Sequence, residues 1–261
     1  GAFGGIEMKV RELTYFIESM APVESALGYD NPGLLIGSPD DEVKKVLVTL
    51  DVTSEVVDEA VEKGCDFILS HHPVIWAGIK KLTPDYPTAD PVVKAIRAGI
   101  DVYAAHTNVD AMAGNMSWEL LKDLGCDSAE PLFDNGFGAV GDVKEIKYRD
   151  LAAKVAKILD ENVRTIGNLD ETVKRVATVS GAAGDTEDVK QALSKSADVY
   201  ITAELKHHVA VAAKSAGFKI IEVSHYASEF SFVKIFERLL DGVVETACAE
   251  SQKNPYNKEI L

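Results

Sequence analysis

Apolar residues recur along this chain in two patterns that predict different secondary structures. Between residues 10 and 20 they lie three and four positions apart, which is typical of the buried face of a helix. Short continuous apolar runs at residues 45–50, 67–69 and 100–105 instead predict buried strands, because strands covered on both faces lose the polar alternation. The chain therefore starts with a helix and continues into a region of buried strands.

Helical spacings separate these three strands. They cover residues 54–63 and 91–98, and Gly64 and Gly99 follow them directly, as glycine commonly ends helices. The resulting order of strand, helix, strand, helix, strand is the arrangement of a mostly parallel sheet.

A second alternating array follows the glycine-containing stretch 131–140, which we interpret as the seam between two halves. The array predicts helices at 150–159, 186–195, 204–216 and 227–240, and strands at 175–179, 199–201 and 219–223. We therefore predict an α/β protein with two related α/β lobes and mostly parallel sheets.

The predicted lobes use separate parts of the chain. Residues 8–130, completed by a C-terminal helix at 227–245, form the first lobe, and residues 131–226 form the second. Residues 1–7 are expected to be a non-native remnant ahead of Met8. The polar tail from Glu245 is expected to fray.

Composition narrows the classes of function. The 27 basic and 42 acidic residues give a net charge of −15, which repels phosphate backbones and anionic membranes and favours divalent cations. Nucleic-acid binding and membrane association are therefore not expected. The three cysteines are far apart and form no CxxC pair, so we predict no disulfide framework and no thiolate zinc site, and we expect a reducing cytoplasm.

The six histidines are confined to four short segments. These are His71-His72, His106, His207-His208 and His225, and each lies at a predicted strand end or helix start. Ligands of α/β proteins bind beyond the carboxyl ends of the strands. Pro73 should take His71 and His72 out of the strand, so that both imidazoles can face one cavity, although a pair of exposed loop histidines is the alternative.

Two carboxylates accompany these histidines. Asp110 follows His106 by four residues, and Glu229 follows His225 by four residues on one face of a helical turn. Helix capping is the alternative for each: Asp110 as the N-cap of the helix that follows, Glu229 in a capping box near residue 224. One four-coordinate zinc ion would leave a ligand over, whereas two ions with open positions for water use all five donors. Those five candidate ligands are His71, His72, Asp110, His225 and Glu229.

Five motifs in a fixed order resemble one known family. They are Tyr29–Gly37, Ser70–Pro73, His106–Ala111, Thr202–His208 and His225–Glu229. In these motifs the chain resembles the GTP cyclohydrolase I type 2-like proteins, also called the Nif-three-like family, over nearly its whole length. It departs from the family pattern at Tyr29, Pro32, Ala203, Ser224 and Gly114-Asn115, none of which is a proposed ligand.

The resemblance implies a two-lobed α/β fold with a dinuclear metal centre in the cleft between the lobes. It places the ligands on the same five residues and implies a ring-shaped homohexamer. Some members of the family carry an inserted domain, and the length of this chain and its short connection at 131–140 indicate that the insert is absent here. Mixed imidazole and carboxylate ligands suit Zn, Fe, Mn, Co or Ni. His106 and His208 are the catalytic candidates, with a buried structural histidine and a surface histidine as the respective alternatives.

The predicted function is that of a metal-dependent hydrolase acting on a small molecule. Paired cations would lower the pKa of a shared water from about 15.7 toward ~7 and make hydroxide available at neutral pH. The family name implies GTP as substrate, with attack at C8 and opening of the imidazole ring; another nucleotide or a phosphoester is also compatible with the centre. A non-catalytic protein that binds or delivers metal would use the same five ligands and is the alternative.

Overall fold

The computed structural model describes residues 8–257, so the interpretation of residues 1–7 lies outside the described chain. The strands are β1 (Met8–Lys9), β2 (Gly33–Ile36), β3 (Glu42–Val43), β4 (Lys45–Thr49), β5 (Phe67–Ser70), β6 (Asp101–Ala104), β7 (Ala129–Glu130), β8 (Ala139–Lys147), β9 (Arg164–Ile166), β10 (Thr172–Thr178), β11 (Val199–Ala203), β12 (Lys219–Val223) and β13 (Glu245–Cys248). The helices are α1 (Val10–Met20), α2 (Ser54–Glu62), α3 (Asp90–Ala98), α4 (Thr107–Asp110), α5 (Met116–Asp123), α6 (Tyr148–Leu159), α7 (Thr186–Ser194), α8 (His207–Ala216), α9 (His225–Glu229) and α10 (Ser231–Leu240), with a short 3-10 turn at Val23–Ser25. Within these described residues, no helix combines the length and apolar character needed to cross a bilayer.

The α/β class predicted from the hydrophobic pattern is confirmed, and most elements begin and end close to their predicted bounds. Two helices differ. The helix expected from residue 204 starts at His207, because Glu204 has a left-handed backbone with a φ of 52° that a helix cannot include. The single helix expected at 227–240 is instead two helices, α9 and α10, which Phe230 separates.

The chain packs into two compact units. Unit 1 contains residues 8–109 together with Phe232–Lys253, and unit 2 contains Asp110–Ser231 together with residues 254–257. The sequence-based division places residues 110–130 in the first lobe, whereas here they pack with unit 2. The reason is local pairing: β7 adds to the edge of β8, and α5 packs on β8 and β10.

Unit 1 is built on a five-stranded sheet with the order β13-β4-β5-β6-β2. Every pairing is parallel except that of β2 with β6. Valine, leucine and isoleucine side chains of the central strands are fully buried, and helices α2 and α3 supply apolar faces to the same core. Because β4, β5 and β6 run in parallel, the polar segments that follow them emerge at one edge of the sheet.

Unit 2 is built on a six-stranded sheet with the order β7-β8-β10-β11-β12-β9. Here mostly parallel pairing is not observed: β10-β11 and β11-β12 are parallel, and the other three pairings are antiparallel. Strand β8 was not predicted from the sequence, because Gly141 inside it and Gly136 and Gly138 just before it resemble loop signals. A Cβ atom on Gly141 would lie 2.4 Å from the Cys126 sulfur, so glycine is needed there for close packing inside the strand.

The tail from Glu245 does not fray within the described residues, contrary to expectation. It forms β13, which pairs in parallel with β4. Beyond the strand, the buried carboxylate of Glu59 accepts hydrogen bonds from the backbone amides of Glu250 and Ser251, both at 2.8 Å. Lys63 lies 2.7 Å from the same carboxylate. The tail is held because its unpaired amides find a buried acceptor.

Loss of the Glu59 carboxylate is expected to destabilise the protein in a pH-dependent way. Burial alone would raise the pKa of Glu59, but hydrogen bonds from Lys63, Ser251 and the two amides outweigh it and lower the pKa to about 2. Since this folded-state pKa lies below the unfolded value near 4.5, the stabilisation is present above about pH 4.5 and disappears as the pH falls toward 2. The contribution of this pKa shift to the free energy of unfolding at pH 7 is on the order of 3 kcal/mol. Urea unfolding of Glu59→Gln across this range should show a lower midpoint at pH 7 and a flatter acid limb; an acid limb as steep as that of the wild type would contradict the assignment.

Candidate metal centre

Three histidine side chains meet at the carboxyl-end edge of the unit 1 sheet. His71 and His72 follow β5, and His106 follows β6, the next strand in the sheet. The ring centroids are 5.0 Å apart for His71 and His72, 5.1 Å for His71 and His106, and 5.4 Å for His72 and His106. One nitrogen from each ring lies within 4.8 Å of the others, close enough to share an ion.

Each of these three rings is held at Nδ1 by a fixed acceptor. His71 Nδ1 lies 2.8 Å from the carbonyl oxygen of Ala105. His72 Nδ1 lies 2.8 Å from Asp51 Oδ1. His106 Nδ1 lies 2.8 Å from Asp30 Oδ1. A carbonyl or carboxylate oxygen accepts hydrogen bonds and does not donate them, so the Nδ1 atoms carry the protons. The Nε2 lone pairs are then the ones that can bind a cation, as is usual for histidine ligands of metals.

Asp30 and His106 form a buried pair. Burial opposes ionisation of Asp30, but hydrogen bonds from Thr107 and His106 outweigh it and lower the pKa of that carboxyl. Burial, and the neighbouring His71, lower the pKa of His106 to about 4. His106 is therefore neutral at pH 7. Trp76 packs its ring edge-on against His106 at 5.0 Å and is 51% exposed, so one aromatic face is open to solvent beside the cluster.

A histidine and a carboxylate meet in unit 2. His225 starts α9, and Glu229 ends it one turn later. His225 Nδ1 lies 2.6 Å from Glu204 Oε1, and His225 Nε2 lies 3.0 Å from Glu229 Oε2. Two ligands at about 2.0–2.2 Å from one ion, at a right angle or wider, are themselves about 3 Å apart or more. The spacing of His225 and Glu229 therefore suits two ligands of one cation.

The capping box considered for Glu229 is not what the structure shows. Ser224 is the N-cap of α9, and its hydroxyl accepts a hydrogen bond from the amide of Ala227 at 3.1 Å. Glu161 in turn accepts hydrogen bonds from the backbone amide and the hydroxyl of Ser224, both at 2.6 Å. Serine at position 224, a departure from the family pattern, thus helps to fix the helix that carries His225 and Glu229.

A glycine loop lies directly behind the Glu229 carboxylate. Gly181 has a φ of +76°, and its amide donates to the hydroxyl of Ser228 at 2.9 Å. A Cβ atom at this position would lie 2.5 Å from Glu229 Oε1. Glycine is required here both for the left-handed backbone and for the close approach of the carboxylate.

Asp110 ends the one-turn helix α4, which begins immediately after His106. Its carbonyl oxygen accepts a hydrogen bond from Asn115 Nδ2 at 2.6 Å, and its Oδ1 atom is buried. The N-cap of α5 is Asn115, whose side chain accepts from the amide of Ser117 at 2.9 Å. Helix capping therefore does not account for Asp110.

His208 differs from the other candidates. It lies with His207 in the first turn of α8, where both side chains are exposed. Within residues 8–257, no group of three side-chain donors close enough to share an ion contains His208. Its catalytic role stays a prediction.

Sequence reasoning missed two side chains that belong to these clusters, Glu204 and Trp76. A signal for Glu204 exists in the sheet register. Ala203 of β11 pairs with Val223 of β12, so the residues that follow these two strands start from adjacent positions. Glu204 and His225 come from those two strand ends.

Comparison with known proteins identifies the family. The profile of Duf34/NIF3 (NGG1p interacting factor 3) matches residues 8–255. The chain belongs to this family. The resemblance inferred from the five motifs is thereby confirmed.

Two relatives of this Duf34/NIF3 chain carry the name GTP cyclohydrolase 1 type 2 homolog. That of Clostridium perfringens is 31% identical over 261 residues, covering 95% of this chain and 99% of the relative. That of Lactococcus lactis is 34% identical over 257 residues, again covering 95% and 99%. The crystal structure of the Staphylococcus aureus hypothetical protein SA1388 is 26% identical and has a TM-score of 0.88, covering 97% of this chain and 99% of that one.

Proposed function

We propose that this protein is a divalent-metal-dependent hydrolase with a dinuclear centre. The proposed ligands of the two cations are His71, His72, Asp110, His225 and Glu229. One observation carries the proposal: the Nδ1 atoms of His71, His72 and His225 all lie within 2.8 Å of oxygen acceptors, which directs each Nε2 lone pair away from its own anchor. Exposed loop histidines do not need such anchors, whereas histidine ligands of metals usually have them.

The donor set fits first-row divalent ions such as Zn, Fe, Mn, Co and Ni, since imidazole nitrogens are combined with carboxylate oxygens. When bound, two such ions would supply Lewis acidity and lower the pKa of water from 15.7 toward about 7. The protein's own groups would fix the rings: Asp51 holds His72, and Glu204 holds His225. His106 is neutral and buried, so we propose that it contacts the substrate through Nε2 as a hydrogen-bond acceptor.

GTP is the first substrate to offer, because the relatives from Clostridium perfringens and Lactococcus lactis are named GTP cyclohydrolase 1 type 2 homolog. The reaction would open the imidazole ring of guanine by attack at C8. Other nucleotides and phosphodiesters belong in the same experiment, because one metal centre serves several hydrolytic reactions and a fold does not fix the substrate. We also propose that the protein assembles as a homohexamer, and it should be assayed in its native assembly.

The deciding measurement compares turnover by the metal-loaded protein with that of Asp110→Ala. Loss of the Asp110 carboxylate is expected to lower turnover about a hundredfold or more, because it leaves three imidazoles and the single carboxylate of Glu229 to hold two ions. Asp123→Ala is the matched control, since Asp123 is exposed at the end of α5. The substrates are GTP, the other nucleoside triphosphates and a generic phosphodiester.

The outcomes separate the proposal from its rival. Turnover that falls in Asp110→Ala and stays unchanged in Asp123→Ala supports the hydrolase. Turnover that is equal in both variants overturns the metal mechanism. Stoichiometric metal without turnover on any of these substrates overturns catalysis and favours a protein that binds or delivers metal.

A further inference from the structure

A buried glutamine near the end of the described chain lies against the carboxyl end of β4. Gln252 is 7% exposed, and its Oε1 atom accepts hydrogen bonds from three donors. These are the hydroxyl of Thr49 at 2.7 Å, the backbone amide of Leu50 at 2.5 Å and the backbone amide of Asp51 at 3.0 Å. The Nε2 atom of Gln252 is buried and has no hydrogen-bond partner among residues 8–257. The carbonyl end of the side chain is therefore the part that makes the contacts.

The two residues that Gln252 holds by their amides also contact His72. The carbonyl oxygen of Leu50 accepts a hydrogen bond from the His72 backbone amide at 2.9 Å. Asp51 Oδ1 lies 2.8 Å from His72 Nδ1. The amides of Leu50 and Asp51 thus bind Gln252, while the Leu50 carbonyl oxygen and the Asp51 carboxylate contact His72.

The register of the C-terminal strand delivers Gln252 to this position. Cys248 pairs with Val48, and the amide of Ala249 donates to the Val48 carbonyl oxygen at 3.0 Å. The next two residues, Glu250 and Ser251, are bound through their amides by Glu59. Four residues beyond the strand end, the chain therefore has little freedom, and the glutamine side chain enters the loop after β4 in one position.

We propose that Gln252 is a positioning residue for the metal centre, which fixes Asp51 and through it the orientation of the His72 imidazole. A carboxylate can orient a histidine ligand only if its own backbone is fixed. Asp51 is half-exposed at its side chain, with 53% of that surface open, so packing alone does not fix it. The hydrogen bonds from the amides of Leu50 and Asp51 to the buried Gln252 oxygen supply that constraint, and the Thr49 hydroxyl, which lies 2.7 Å from the same oxygen and 2.9 Å from the Asp51 carbonyl oxygen, supports it. The effect on metal binding rests on the proposed function; the effect on the His72 ring does not.

The test uses two substitutions at one position. Gln252→Met has a similar length but lacks the amide oxygen, and Gln252→Glu keeps an acceptor oxygen in the same place. Ser251→Ala is the matched control, because it removes the hydrogen bond from the Ser251 hydroxyl to Glu59 in the same segment without touching the loop after β4. All are made in the full chain, and thermal unfolding is recorded for each to confirm that it folds.

Two readouts on the metal-free protein report the orientation directly. Amide hydrogen exchange at Leu50 and Asp51 is expected to be faster in Gln252→Met by tenfold or more, because their acceptor is lost. The ¹⁵N shifts of His72 are expected to change from a single Nδ1-protonated tautomer to a mixture. Both readouts should stay close to wild type in Ser251→Ala and be largely restored in Gln252→Glu.

The third readout is the affinity for Zn²⁺ measured by competition with a chelator. We expect Gln252→Met to bind Zn²⁺ 10- to 100-fold more weakly, the usual effect of losing a group that orients a metal ligand. Unchanged exchange and tautomer in Gln252→Met would overturn the proposal. So would an equal loss of affinity in Ser251→Ala, since the cause would then be general loosening of the tail. If the protein binds Zn²⁺ without hydrolysing any substrate, the hydrolase fails and the positioning role is tested unchanged.

Discussion

Replacing His71 with leucine is expected to lower metal affinity and any metal-dependent turnover at least a thousandfold. The His71 side chain is fully buried, its Nδ1 is held by the Ala105 carbonyl oxygen, and its ring packs at 4.9 Å against Phe232. Leucine has a volume comparable to that of histidine but carries no donor atom. It therefore fills the space of the imidazole, and neither a water molecule nor a neighbouring side chain can enter to bind the ion instead. The loss should therefore exceed that at Asp110, where a smaller side chain leaves room for water.

The measurement is the metal content per chain after equilibrium dialysis, together with turnover. His207→Leu is the matched control, since His207 is exposed in the first turn of α8 and should leave both quantities unchanged. His208→Leu belongs to the same series, because the sequence predicts His208 as a catalytic residue. Reduced turnover with full metal content in this variant would support that prediction. Normal metal content in His71→Leu would contradict the assignment of His71 as a ligand.

Gly181→Ala is expected to impair both stability and metal binding. The φ of +76° costs an L-residue about 1–2 kcal/mol. In addition, the new methyl group would lie 2.5 Å from Glu229 Oε1, so the carboxylate has to leave its present position beside His225. We expect a lower free energy of unfolding and a 10- to 100-fold weaker affinity for Zn²⁺, as when a ligand is misplaced.

Gly217→Ala separates these two effects. Gly217 ends α8 with a φ of +68°, close to that of Gly181, but a Cβ atom there would have nothing within 4 Å. Both variants should lose similar stability from backbone strain, while Gly181→Ala alone loses metal affinity. Equal affinity in the two variants, measured by chelator competition, would show that Gly181 does not support the Glu229 carboxylate.

The pattern of apolar residues predicted the three central strands of the unit 1 sheet because these strands are buried on both faces, but it did not predict the edge strands β2 and β13. Strands β4, β5 and β6 appear in the sequence as short continuous runs, and the helices between them end at glycines. Strand β8 could not be predicted in the same way, because Gly141 lies in its interior for a packing reason that the sequence does not reveal. The order of the polar tail could not be predicted either, since its partners lie far away in the chain: β13 pairs with β4, and Glu59 accepts hydrogen bonds from the two residues at 250 and 251.

Candidate ligands were accessible from the sequence, because imidazoles and carboxylates placed after buried strands suggest metal chemistry on their own. The residues that orient these ligands were harder to predict from the sequence. The role of Glu204 depends on the register of β11 against β12, and the role of Gln252 depends on the register of β13 against β4. Registers are set by long-range pairing, which a pattern along one strand does not report. The sequence therefore predicts which donors are present better than it predicts what orients them.

Unit 1 is discontinuous: Phe232–Lys253 complete a sheet whose other strands lie before residue 110. During synthesis, domains fold largely in the order in which they leave the ribosome. Here all residues of unit 2 up to Ser231 emerge before β13 and Gln252 do, so the sheet of unit 1 is completed only after the whole of Asp110–Ser231 has been synthesised. A chain that ends after residue 231 would lack β13 and Gln252, so the loop after β4, whose residues Leu50 and Asp51 contact His72, would lose the hydrogen bonds to the Gln252 oxygen.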